Sequence, residues 1–277
     1  MNIWDLSVVY ALDKRWSLSA ELPFQYGSRR NRFEHDVVHF HTTRAIGVGD
    51  MRLALNAWVL NPDASPHYNV SFGLGVKVPT GQDDITDTFL RPGGRTAERP
   101  VDLAIQPGDG SWGIIVATNA FARLYRNSFA FFQGTYLSNP RETNHVEVSY
   151  GDEPDFTGPD PGAKFNSVPD QWLVRSGVSS AIWTRYGLTG SLAARWEGIP
   201  AHDVIGGSDF YRLPGYSVSI EPGISVSRGK DSLALSAPVA IYRKGIPAVP
   251  DVRTHSPFAG IASFADYQIN VTYSHVF

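Results

Sequence analysis

Apolar residues recur at every second position through much of this chain. In YQINVTYSHVF, which closes it, Tyr267, Ile269, Val271, Tyr273 and Phe277 alternate with Gln268, Asn270, Thr272 and Ser274. The same period runs through YSVSIEPGISVS, with Tyr216, Val218, Ile220, Ile224 and Val226 on one parity, and through YNVSFGLGVKV from Tyr68 to Val78. A period of two places one set of side chains on each face of a strand. Eleven strands follow from it, at roughly 2–12, 16–26, 48–60, 67–79, 112–125, 128–138, 171–183, 185–197, 214–227, 231–243 and 265–277. No stretch carries a helical period.

The connections alternate in length. Short ones fall at 13–15, 61–66, 126–127, 184 and 228–230; long ones span 27–47, 80–111, 139–170, 198–213 and 244–264. Loops this long are uncommon in compact soluble domains. Short turns on one rim and long loops on the other are the habit of outer-membrane barrels, and strands of this length suit a tilted bilayer crossing. The mid-strand charges Asp5, Glu21, Arg52, Lys77, Arg123, Arg175, Arg195 and Glu221 all take the parity opposite the apolar residues, among Ser, Thr, Ala and Gly. A half-exposed soluble sheet also separates its charges in this way. A small-residue lining with charges of both signs at mid-strand depth is better suited to a lumen. Aromatic residues of the apolar parity gather at strand ends: Tyr10, Trp16, Phe129, Tyr186 and Phe277 near the short turns, and Trp4, Phe24, Trp196, Tyr216 and Tyr267 near the long loops. Two such belts suit the headgroup levels of a bilayer. The expected fold is therefore all-β, an antiparallel up-and-down transmembrane β-barrel forming a single domain over residues 1–277.

Composition narrows the partners. A net charge of −3 gives no electrostatic reason to expect nucleic acid, and the absence of cysteine removes disulfides and thiolate metal sites. No apolar run is long enough for a transmembrane helix, which leaves strands as the means of crossing. The opening MNIWDLSVVYAL lacks the basic start and small-residue cleavage site of a signal peptide.

Two resemblances can be placed on specific residues. YQINVTYSHVF, with Tyr273 and the final Phe277, resembles the C-terminal signal by which bacterial outer-membrane proteins engage the barrel-assembly machinery. GVGDMRLALNAWVL, NVSFGLGVKVPTGQ and IQPGDGSWG, in that order, resemble the outer-membrane transporter family named for the MetA-pathway of phenol degradation. That resemblance covers most of the chain from about Leu12. It implies a barrel in the cell outer membrane of a Gram-negative bacterium, in contact with lipid and lipopolysaccharide, that passes a small, hydrophobic or aromatic compound without a cofactor. Bacterial barrels usually have an even strand count. Eleven strands, with the first and last running in the same direction, create the expectation of a twelfth upstream of Met1.

Glu21, Arg52, Lys77, Arg123, Arg175, Arg195 and Glu221 are the lumen and selectivity candidates. The alternative is that they pair with one another as an internal ladder that closes the barrel. His35, His39 and His41 share a face if HDVVHFH is extended, but no carboxylate partner is evident, so the expectation is a solvated loop and no metal. Asp83, Asp84, Asp87, Asp152, Glu153, Asp155 and Asp160 lie in long loops without a calcium-loop spacing, and simple solvated loops are again expected. His145 near Ser149 and His202 beside Asp203 are proximity alone. No nucleophile, base and orienting group can be assembled, so no catalytic residue is assigned and an enzyme is not expected.

Overall fold

The structure is a computed structural model that describes residues 1–150, 160–255, 260 and 264–277. Asp152, Glu153 and Asp155 lie outside the described residues. The strands are β1 (Asn2–Ala11), β2 (Trp16–Asn31), β3 (His41–Val48), β4 (Met51–Trp58), β5 (Tyr68–Val78), β6 (Thr86–Arg91), β7 (Arg95–Pro100), β8 (Gly113–Tyr125), β9 (Ser128–Ser138), β10 (Thr143–Glu147), β11 (Phe165–Ser167), β12 (Gln171–Trp183), β13 (Leu188–Ile199), β14 (Gly215–Arg228), β15 (Asp231–Ser236), β16 (Val239–Gly245) and β17 (Asn270–His275). One short helix, α1, spans Val249–Thr254.

The main sheet follows the order β1-β2-β4-β5-β8-β9-β12-β13-β14-β15-β17, antiparallel throughout and curled into a half-barrel. β3 continues β4 beyond a break at Gly49–Asp50 and pairs with the far half of β2. β16 continues β15 beyond Ala237–Pro238 and pairs with the far half of β14. Pro238 has no N–H to give the ladder, which accounts for the interruption. With these joined, each of the eleven expected strands is present. β1 and β17 are the two edges, paired only with β2 and β15.

The wall is polar inside and apolar outside. Along β5, Asn69, Ser71 and Lys77 are 2%, 5% and 2% exposed, while Tyr68, Phe72 and Leu74 on the other parity are 61%, 56% and 64% exposed. Burying one such side chain is worth ~1.5–3 kcal/mol. A water-facing sheet that leaves this parity out and turns the polar one in forgoes that gain strand after strand. Trp172, Trp196, Tyr216 and Tyr242 form a chain of ring contacts on the outer face near the long loops, with centroids 4.4, 6.3 and 5.8 Å apart. Phe129 departs from the sequence reading. It stands opposite Ser179 and Arg123 on the inner parity and contacts Phe121 at 6.2 Å, so it is not part of the outer belt.

The short connections are tight. A 3₁₀ turn at Thr184–Tyr186 ends on Gly187 at φ 66°, where a Cβ would run into the Ser227 carbonyl. The described parts of the long connections form a packed cap rather than solvated loops. β2 and β3 extend as a hairpin past the rim, with FEHDVVHFH at its tip, so no later strand changes direction. β6 and β7 make a second hairpin, and β10 and β11 a third pair. Ala45, Val101, Ile105 and Ile85 form a small apolar core between them. Many polar groups in the cap are deeply buried and paired. Arg212 grips Asp203 with two bonds of 2.7 Å, both side chains fully enclosed, and also donates to Ser167 Oγ at 2.6 Å. Asp170 accepts from Asn139 N, Tyr136 Oη and Val204 N. Alternation could not foresee this cap, because its segments are held by side-chain-to-backbone bonds between distant loops.

Candidate functional site

The concave face brings the sequence-selected charges into pairs. Glu21 on β2 and Arg52 on β4 are cross-strand partners, with Arg52 Nη1 donating to Glu21 Oε1 at 3.1 Å. Arg195 and Glu197, on one parity of β13, meet at 2.6 Å. Arg175 on β12 stands opposite Arg195, a like-charge pairing that its other contacts offset. Its Nη2 reaches across to Glu221 Oε1 on β14 at 2.9 Å, and its Nη1 donates to Gln133 Oε1 on β9 at 3.1 Å. Its guanidinium also lies over the Phe131 ring, 5.0 Å from the centroid. Glu221 is 2% exposed, and its contact with the arginine offsets the cost of enclosing a carboxylate. Arg123 alone has no acidic partner among the described residues; its Nε donates to the Arg126 carbonyl at 2.5 Å beside the short turn.

Lys77 has a different role from the rest. It is enclosed at the long-loop rim, where Nζ bonds Asp109 and lies 3.9 Å from Asp50. Around it the three segments GVGD, VPTG and QPGDG converge. Asp50 accepts from Gly81 N through Oδ1 at 3.0 Å and from Asp109 N through Oδ2 at 3.1 Å. Thr80 Oγ1 donates to the Gly49 carbonyl and accepts from Met51 N, both at 2.9 Å. The backbones of Gly81 and Gly108 touch, so closely that a Cβ on Gly108 would lie 2.6 Å from the Gly81 carbonyl carbon. Gln106 then seals the base of the loop, donating to the Ile85 and Val101 carbonyls and accepting from Ile85 N. The three motifs are thus one junction that fastens the 80–111 loop to the mouth of the wall.

Between the strands lies a cavity of about 540 Å³, the size of a small-molecule site. One side is aromatic: Trp58, Phe121 and Phe131 line it, with Trp58 and Phe121 in edge contact at 5.8 Å. The other side is hydroxylic, with Ser179, Ser191 and Ser225, and the Arg175–Glu221 pair stands at the boundary. Sequence reasoning found the charges but not these rings, which sit on the parity it reserved for polar residues. The one available signal was that Trp58, Phe121 and Phe131 share the parity of Arg52, Arg123 and Gln133 on their own strands.

Elsewhere, Asp203 is fully occupied by Arg212 and so offers His202 no catalytic partnership. Ser149 is 3% exposed, with its carbonyl held by Arg91 at 2.6 Å. Asp87 accepts from Arg44 N at 2.9 Å, and Asp160 is gripped by Arg253. These acids are fastenings of the cap. A search against known protein families finds none that matches, and no curated protein matches the chain.

Proposed function

We propose that this chain forms the wall of an outer-membrane β-barrel that passes small hydrophobic or aromatic compounds passively. The observation that carries the reading is the inverted wall: polar and paired side chains within, large apolar ones on the convex face. Such a surface fits hydrocarbon, where every backbone group is satisfied by the ladder and apolar side chains cost nothing to expose. The outer rings from Trp172 to Tyr242 would lie at one headgroup level. The resemblance to the transporter family of the MetA-pathway of phenol degradation points to the same setting, and the half-aromatic cavity to the same cargo. A planar ring would pack against Trp58, Phe121 and Phe131, with a hydroxyl or carboxylate turned toward Arg175 and the serines.

A closed structural barrel is the second reading. It is favoured by the pairing of the lumen charges and by the packed cap over the rim. Single-channel conductance of the refolded protein in a planar bilayer separates the two. Stable steps that change with Arg175→Ala or Glu221→Ala support an open path that includes those charges. Silence from a folded, heat-modifiable barrel rejects a constitutive ion-conducting pore. The remaining question would then be whether proteoliposomes take up a phenolic probe and lose that uptake in Phe131→Ala.

A further inference from the structure

At the tip of the β2–β3 hairpin the chain turns back on itself through Val37, a β-branched residue at φ 59°. L-residues of that shape rarely adopt this conformation. The reversal swings Asp36 toward the two histidines that follow. Asp36 Oδ1 accepts from Val38 N and His39 N at 3.1 and 2.8 Å, which fixes the carboxylate. Its other oxygen, Oδ2, lies 2.7 Å from His39 Nδ1. His41 opens β3, locked opposite Asn31 by the ladder. One donor atom each from Asp36, His39 and His41 falls within 4.8 Å of the others, the only such group among the described residues.

A second observation points to a ligand. His41 Nε2 is shielded from solvent and has no hydrogen-bond partner among the described residues. A buried, unpartnered ring nitrogen carries a desolvation cost, which a cation bound there would remove. His35 backs the ring at 4.9 Å and itself stacks on Phe89 at 4.8 Å, with its Nδ1 accepting from Leu90 N.

We propose that Asp36, His39 and His41 bind a divalent transition-metal ion, Zn²⁺ in the first instance, through a carboxylate oxygen, an imidazole nitrogen of His39 and Nε2 of His41. Two imidazoles and a carboxylate are a borderline donor set suited to Zn²⁺ or Cu²⁺ and not to Ca²⁺ or Mg²⁺. Tetrahedral bonds of ~2.0–2.2 Å bring donor atoms closer than they now stand, and the exposed His39 has the freedom to close that gap. Three protein donors leave a fourth position for water or an external ligand. The ion would fasten the turn to the start of β3, closing the hairpin tip.

The test uses the untagged, refolded chain, with Zn²⁺ alone as the probe. Titration calorimetry should give one equivalent, weakened about tenfold or more by His41→Ala and by His39→Ala, and unchanged by His202→Ala. Co²⁺ substitution should give the intense visible bands of a four-coordinate site. These variants change a turn and an exposed ring, and heat-modifiability checks that each folds. No binding by the folded parent chain, or binding that His39→Ala and His41→Ala both leave intact, overturns the assignment.

Discussion

Replacing Lys77 with Met tests whether the three-motif junction holds the cap in place. Lys77 is 2% exposed and satisfies two carboxylates, Asp109 directly and Asp50 at 3.9 Å. Methionine keeps most of the side-chain volume, so the change removes charge and leaves packing nearly intact. Two acids then face each other with no cation between them. Breaking a buried pair from one side costs ~3–5 kcal/mol. Asp109 is a quarter exposed and can recover some hydration, so ~2–4 kcal/mol is the expected loss. The double variant Lys77→Met/Asp109→Asn should recover at least half of it, because one of the two uncompensated charges is removed and Asp50 no longer faces a second acid.

The measurement is denaturant unfolding in detergent, followed by tryptophan fluorescence, with the four members of the double-mutant cycle compared at one denaturant slope. Trp112 adjoins the junction and reports on it locally. A coupling above ~1 kcal/mol between positions 77 and 109 is required. If Lys77→Met unfolds within ~0.5 kcal/mol of the parent, or if the two substitutions simply add, the junction is not what fastens the loop.

Three further outcomes follow from the same geometry. Gly108→Ala should force apart two backbones in contact, at a cost of ~1–3 kcal/mol, and open the β6–β7 hairpin to trypsin at Arg95, its one arginine not followed by proline; unchanged digestion would contradict it. The Glu147 carboxyl is held below its ordinary 4.5 by its bond to Arg99 and then by Lys164 3.2 Å away, so its contribution to the cap is full above about pH 4.5 and lost as pH falls through the depressed value. Hydrogen exchange across β10, corrected for intrinsic rates, should rise between pH 5 and about 3 in the parent but not in Glu147→Gln, and equal profiles would refute it. Arg175→Ala should destabilise the wall by ~3 kcal/mol by leaving Glu221 alone, whereas Arg175→Ala/Glu221→Gln should lose less; the reverse order in unfolding midpoints would exclude the pair as a strut.

Strand positions were legible because a sheet with one wet face and one apolar face writes its period directly into the sequence. Two-residue parity even sorted Arg175, Arg195 and Glu221 onto one face before any contact was known. Partners were not legible, since Arg175 finds Glu221 two strands away, diagonally over Ala193, and nothing in local spacing encodes that reach. The aromatic half of the cavity was hidden for a related reason. In SFAFFQG, Phe129 and Phe131 fall on one parity and Phe132 on the other, so rings on both faces hide which one is polar. In the hairpin tip, HDVVHFH read as an extended segment puts Asp36 on the wrong side of the histidines. Only the left-handed turn at Val37 brings it round.

Two packing rules coexist in this one chain, and where they change over is informative. In the wall, Asn69, Ser71, Ser217, Ser219 and Glu221 are enclosed while Leu74, Val116, Val178 and Ile220 face outward. In the cap apolar side chains turn inward as well: Phe89, Val101, Ile105, Val168 and Leu213 are enclosed, beside paired polar groups such as Arg212 and Asp170. A protein in a single solvent has no reason to reverse its pattern partway along its strands, because the cost of exposing a leucine to water is the same at both levels. The reversal falls near the rim where Gly49, Thr80 and Ser111 mark the breaks, close to the outer rings of Trp172, Trp196 and Tyr216. A bilayer whose headgroups lie at that level, as proposed, supplies two solvents and makes both patterns favourable. On that proposal, the junction around Lys77 would join a segment folded against water to one folded against lipid.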